Sequence, residues 1–119
     1  QWEDFAGANA AVLLERYRDR LCTFNDDIQG TAAVAAGTLL SAIGVTGQPL
    51  CEQRICLVGA GAAGTGIAAL LVQAMVEDGL SEAEARARFY VLDSKGLVAH
   101  GLREVSGERA LYAQSRETV

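Results

Sequence analysis

Arg54-Ile-Cys-Leu-Val-Gly-Ala-Gly-Ala-Ala-Gly64 is the stretch that decides the fold. Arg54–Val58 is a compact apolar run with a β-branched bias, which predicts a buried strand. From Ala60 to about Glu77, apolar residues recur at helical spacing: Ile67, Leu70, Leu71, Ala74 and Met75. Gly79 fits the stop of that helix. A glycine fingerprint between a strand and a helix is the context a dinucleotide-binding βαβ unit requires. Gly59 permits the tight turn, Gly61 lets a pyrophosphate approach the backbone, and Gly64 lets the helix lie close to the strand. Free N–H groups and the dipole at the helix start attract phosphate. The plain alternative is a glycine turn that holds no ligand.

Downstream, Ser81-Glu-Ala-Glu84 matches a capping box and predicts a short helix over Glu82–Arg88. Phe89–Leu92 reads as the next strand, ending at Asp93. Such an acid bonds the adenosine ribose, although it stands 29 residues after Gly64, against the ~20 of the usual spacing. The extra helix accounts for the difference, and a simple strand-end cap is the alternative for Asp93. Ser94-Lys95 leaves the cofactor open: the acid favours NAD, while a hydroxyl and the only lysine suit a 2′-phosphate. Beyond Gly96 the pattern weakens, with a last helix expected near Glu108–Ser115.

Upstream, Asp4–Arg20 carries a helical stripe (Phe5, Ala8, Val12, Leu13, Leu14, Tyr17) opposite a charged face containing Arg16, Arg18 and Arg20. Leu21–Phe24 reads as a brief strand delivering Asn25-Asp26-Asp27 to a loop. Thr31 is a candidate cap for a helix running to about Ile43, and Gly44–Pro49 is a turn-rich break. The fold class is therefore α/β: part of a Rossmann-like parallel-sheet domain preceded by helical segments.

Two carboxylate pairs need a reason to exist, since adjacent like charges repel. Glu3-Asp4 lies between Trp2 and Phe5, and Asp26-Asp27 between Asn25 and Ile28. Glu3, Asp4 and Asp27 could supply hard oxygen ligands to Mg²⁺ or Mn²⁺. In an extended loop Asp26 and Asp27 project to opposite sides, so one of them ligates and the other orients. The alternative places Glu3 and Asp4 at a helix N-terminus and Asp26-Asp27 in a turn.

The chain has 119 residues, half of them hydrophobic and 21% charged, consistent with a folded domain or part of one. A net charge of -5 and one lysine argue against nucleic acid as a partner. The apolar stretches Ala32–Val45 and Ile67–Val76 fall short of the ~20 residues that span a bilayer, so no membrane partner is expected. Cys22, Cys51 and Cys56 lack zinc-type pairing and read as reduced, mostly buried thiols, expected of a cytoplasmic or other reducing compartment. His100 has no companion histidine and reads as exposed. The opening at Gln1 and the polar tail read as a segment of a longer protein.

Four blocks together resemble the malic enzyme family: Trp2-Glu-Asp-Phe5, Arg20-Leu-Cys-Thr-Phe-Asn-Asp-Asp-Ile-Gln-Gly-Thr-Ala32, Gly59-Ala-Gly-Ala-Ala-Gly-Thr-Gly-Ile-Ala68 and Leu92-Asp-Ser-Lys-Gly-Leu97. The likeness covers Gln1 to about Leu102. It implies oxidative decarboxylation of L-malate to pyruvate and CO₂ with NAD or NADP, by a homo-oligomeric parent. It further implies metal ligation by Glu3, Asp4 and Asp27, with Asp26 beside them supporting the catalytic basic group. Gly59, Gly61, Ala62, Ala63 and Gly64 would meet the cofactor phosphates, with Asp93 and Ser94 near the ribose. The division implied is 1–30 as the end of the substrate and metal region and 31–119 as the start of the NAD(P)-binding domain. Ala62 replaces a commonly acidic residue. Asp93-Ser-Lys-Gly96 leans toward NADP-using relatives, and Arg103 and Arg109 are the basic residues available for a 2′-phosphate. The family's acid-base tyrosine and lysine, and its nicotinamide- and malate-binding asparagines, have no counterpart here, so the isolated chain is expected to be inactive. Two rivals stand beside this reading: a metal-independent amino-acid or hydroxy-acid dehydrogenase, and a non-catalytic nucleotide-binding module.

Overall fold

The structure, a computed structural model, describes residues 1–102 and 104–115. Strand β1 (Ile55–Val58) leads through the glycine turn into helix α3 (Ala62–Glu77). A short helix, α4 (Glu82–Arg86), precedes strand β2 (Phe89–Asp93), which returns parallel to β1. Ile55 pairs with Phe89 and Val58 with Leu92, and Gly59 N–H continues the ladder to Leu92 O at 2.8 Å. The expected βαβ unit is therefore present. A two-residue strand, β3 (Gly96–Leu97), pairs antiparallel to β2 across a tight turn and completes the sheet order β1-β2-β3.

The core lies where α3 covers this sheet. Leu71, Val72 and Met75 of α3 are buried with Phe89 and Val91 of β2, and Tyr112 meets Phe89 edge to face at 5.7 Å. The capping box at Ser81 forms as read, and α4 stops at Arg86, sooner than expected. Gly79, at φ +105, ends the α3 turn in a conformation that favours glycine. The last expected helix is a 3₁₀ turn over Glu108–Tyr112. Arg103, named as a candidate basic residue, lies outside the described residues.

The N-terminal part departs more from expectation. Helix α1 occupies Gly7–Tyr17 only. Leu21–Phe24 forms no strand; a single parallel bridge joins Trp2 to Asn25. Asp26–Gly30 coils as one π-helical turn that runs straight into helix α2 (Thr31–Thr46). Thr31 is thus helical and does not cap α2. Asn25 caps the turn ahead of it, its side-chain oxygen accepting from Ile28 N–H at 2.9 Å. α2 also passes through Gly44 and ends at Gly47, whose φ of +71 supplies the left-handed cap. The joined stretch Asp26–Thr46 has 21 residues and is long and apolar enough to cross a membrane, which corrects the shorter estimate from sequence. In this fold, however, Ala36, Leu39 and Ile43 pack on the same core as α3. The cysteines are free, but Cys22 and Cys56 are exposed, contrary to their reading as buried thiols; Cys56 sits on β1, at the edge of the three strands.

Candidate functional site

At the C-terminal end of β1, Gly59 adopts φ +124, where a side chain is strained. A Cβ on Gly64 would collide with the Gly59 carbonyl, so α3 touches the strand end only because that atom is missing. At Gly61 the opposite holds: a Cβ there would meet nothing within 4 Å. Gly61 is the N-cap of α3 and offers it no side chain, so the N–H groups of the first turn, at Ala62, Ala63 and Gly64, remain available to an anion. Gly59 and Gly64 thus make the tight turn and the close approach of helix to strand that were expected of them.

An open cavity of about 440 Å³ joins this loop to the end of β2, lined by Gly59, Gly61, Leu92, Asp93, Ser94 and Arg109. Asp93 Oδ1 accepts from Lys95 N–H at 2.8 Å, which fixes the carboxylate at the turn into β3. Its Oδ2 pairs with Arg109 at 3.3 Å, and Arg109 Nε donates to Ser106 O. Asp93 thus stands at the cavity beside Ser94, held by Lys95 N–H and Arg109. A glycine cradle open at Gly61, uncapped helix N–H groups and an acid across one cavity fit a dinucleotide. The role of Glu108 was not legible in the sequence: it accepts from the buried Thr65 hydroxyl at 2.9 Å and lines a second cavity, of about 460 Å³, at the start of α3.

The two acidic segments meet, although they lie more than twenty residues apart. Trp2 N–H donates to Phe24 O at 2.9 Å and Asp26 N–H to Trp2 O at 2.8 Å. Asp4 N–H donates to Asp27 Oδ2 at 2.8 Å, and Asp4 takes φ +62, uncommon for a non-glycine residue. Gln1 Nε2 donates to Asp26 Oδ2 at 2.7 Å. Glu3, Asp26 and Asp27 line one open cavity of about 480 Å³ together with Thr31. Asp4 does not line it, and among the described residues no three acidic, histidine or cysteine side chains converge as a metal cage. Two carboxylates suffice for Mg²⁺ when substrate and water fill the remaining positions, so Glu3 and Asp27 fit a hard divalent cation. Asp26 and Asp27 sit in a helical turn, not in the extended loop that the sequence reading assumed.

Comparisons with known proteins identify the family. The family model described as "Malic enzyme, NAD binding domain" matches residues 28–119. The chain is 50% identical over 119 residues to NAD-dependent malic enzyme 2 of Photobacterium profundum, covering 100% of this chain and 21% of that protein. It is 52% identical over 116 residues to NAD-dependent malic enzyme of Pseudomonas aeruginosa, covering 98% and 21%. The chain thus spans about a fifth of the length of the curated relatives it matches. Among solved structures, NAD-dependent malic enzyme of Thermotoga maritima superposes with a TM-score of 0.76 at 24% identity, over 98% of this chain and 30% of that one. Malic enzyme of Entamoeba histolytica gives 0.75 at 24% identity, over 98% and 24%. This chain belongs to the malic enzyme family.

Proposed function

We propose that this chain is the part of an NAD-dependent malic enzyme in which the metal-ligating carboxylates meet the first βαβ unit of the cofactor domain. The parent protein would oxidise L-malate and release pyruvate and CO₂. The observation that carries this reading is the double use of α3. Its N-terminus opens on the glycine loop and Asp93, while its first turns support the Asp26–Gly30 turn. Both halves of the chemistry then share one rigid element. The match of the NAD-binding family model from residue 28 onward supports a boundary near residue 30.

When bound, the divalent cation would polarise the oxygen on malate C2 and the dinucleotide would accept hydride from that carbon. The chain's own residues bind and orient. Glu3 and Asp27 would hold the cation, with the Asp4 N–H bonded to Asp27 Oδ2. Asp26, already a hydrogen-bond acceptor from Gln1, would orient the basic group supplied by the rest of the parent. Gly59, Gly61, Ala62, Ala63 and Gly64 would receive the pyrophosphate. Asp93 would accept from the adenosine ribose, with Ser94 beside it.

For the cofactor we favour NAD over the NADP lean of the Ser94-Lys95 pattern. Two observations support this choice. Asp93 is held at the cavity by Lys95 N–H, where a carboxylate disfavours a 2′-phosphate, and the relatives are named NAD-dependent.

The test is malate-dependent reduction of NAD and NADP by the full-length protein, with and without Mn²⁺. NAD is expected to be the better substrate, and Asp27→Ala is expected to abolish the Mn²⁺-dependent rate. Turnover unaffected by EDTA would overturn the cation reading.

A further inference from the structure

Gly66 lies on α3, just beyond the last glycine of the fingerprint, and no role described so far uses it. A Cβ at Gly66 would stand 2.8 Å from the Ile28 carbonyl oxygen and 3.0 Å from Ile28 Cγ2. The nearer obstacle is backbone, so rotating a side chain cannot make room for a methyl group; the Asp26–Gly30 turn would have to move.

That turn has little freedom to yield in other ways. Ile28 N–H is held by Asn25 Oδ1 at 2.9 Å, Gln29 N–H donates to Asn25 O at 2.8 Å, and Asn25 is fully buried. Asp27 precedes Ile28 directly, and its carboxylate accepts from Asp4 N–H. A shift at Ile28 is thus passed to Asp27 and onward to the Glu3-Asp4 segment. Gly64, by comparison, serves the strand end through Gly59 and has no contact of this kind with the turn.

We propose that Gly66 is a positioning residue for the carboxylate site: its missing Cβ sets how deeply the Asp26–Gly30 turn seats on the dinucleotide helix, and so where Asp27 stands relative to Glu3. The proposal rests on the reading of Asp27 as a ligand of a divalent cation.

The test is titration of the full-length protein with Mn²⁺, followed by the paramagnetic signal of the free ion, beside calorimetric titration with NAD. Gly66→Ala is expected to weaken Mn²⁺ about tenfold, as loss of a group that orients metal ligands does, and to change NAD affinity less than about twofold. Ile28→Ala loosens the same seat from the side of the turn, by removing the Cγ2 that packs on Gly66, and should show the same selectivity; it carries the test if Gly66→Ala does not fold. Mn²⁺ affinity unchanged in the folded variant, or Mn²⁺ and NAD weakened equally, overturns the proposal. Absence of Mn²⁺ binding to the unsubstituted protein overturns the cation reading itself, and the proposal with it, so the two failures are distinguishable.

Discussion

A methyl group at Gly64 has no space, because the Gly59 carbonyl occupies the position its Cβ would take. Gly64→Ala is therefore expected to destabilise the full-length protein by about 1–3 kcal/mol, the usual cost of overpacking, read from the denaturant midpoint. Gly61→Ala meets nothing within 4 Å and should fold normally, yet weaken NAD because the methyl enters the cleft. Equal melting but unchanged NAD affinity in that variant would remove Gly61 from the cofactor site. Asp93→Asn is expected to weaken NAD about tenfold in calorimetry, the scale of one hydrogen bond to a charged group. The fingerprint glycines and Asp93 were legible in the sequence, because strand, glycine turn, helix and strand-end acid follow in one short order. The Arg109–Asp93 pair and the Thr65–Glu108 bond were not: their partners lie 16 and 43 residues apart, and no local periodicity marks them. Nor was Gly66, whose importance depends on a turn more than thirty residues earlier.

Helix α4 has a start signal that can be tested alone. Ser81 Oγ accepts from Glu84 N–H, while Glu84 returns to Ser81 N–H at 2.9 Å and Ser81 Oγ at 2.6 Å. The Ser81 side-chain bond, more than the backbone bond, lowers the Glu84 pKa from 4.5. A depressed carboxylate pKa contributes stability that is present above the unfolded value and lost as pH falls through the folded one. Ser81→Ala is thus expected to lower Tm at pH 7, with the difference from the unsubstituted protein shrinking as pH falls below 4.5. A difference independent of pH across that range would exclude the Glu84 linkage. Tyr112 gives the opposite case at the alkaline end. Burial raises its pKa above 10.0, so its contribution is present below that pH and is lost as the pH rises further. Elements with strong periodicity or caps, α3, α4, β1 and β2, were readable from sequence within a few residues. The π-helical turn at Asp26–Gly30 was not, since its local pattern resembles a loop until Asn25 is buried and caps it. α2 runs past the expected break because one interior glycine costs only about 1 kcal/mol, which packing of Leu39 and Ile43 offsets.

Across the molecule, substantial apolar surface stays uncovered: Val45 is 88% exposed, Val58 87% and Val34 72%. Val58 ends β1, which is an edge of the three-stranded sheet among the described residues. An edge of this kind, with an apolar residue outward, invites another strand. The 119-residue segment expressed alone is expected to melt broadly and to oxidise no malate; a sharp calorimetric transition would count against that expectation. By itself the sequence determined the βαβ unit, the glycine cradle, the acid at the end of β2 and the family, because each depends on residues close in order or on a distinctive block. The family resemblance already implied that Glu3-Asp4 lies beside Asp26-Asp27, but only the tertiary structure decided how: Trp2 bridges Asn25, and Asp4 N–H bonds the Asp27 carboxylate. It alone decided that this acidic turn rests on α3 through the absent side chain of Gly66. The physical reason is that a pairing between distant segments is set by close packing and buried hydrogen bonds, which leave no repeating mark in the order of the residues.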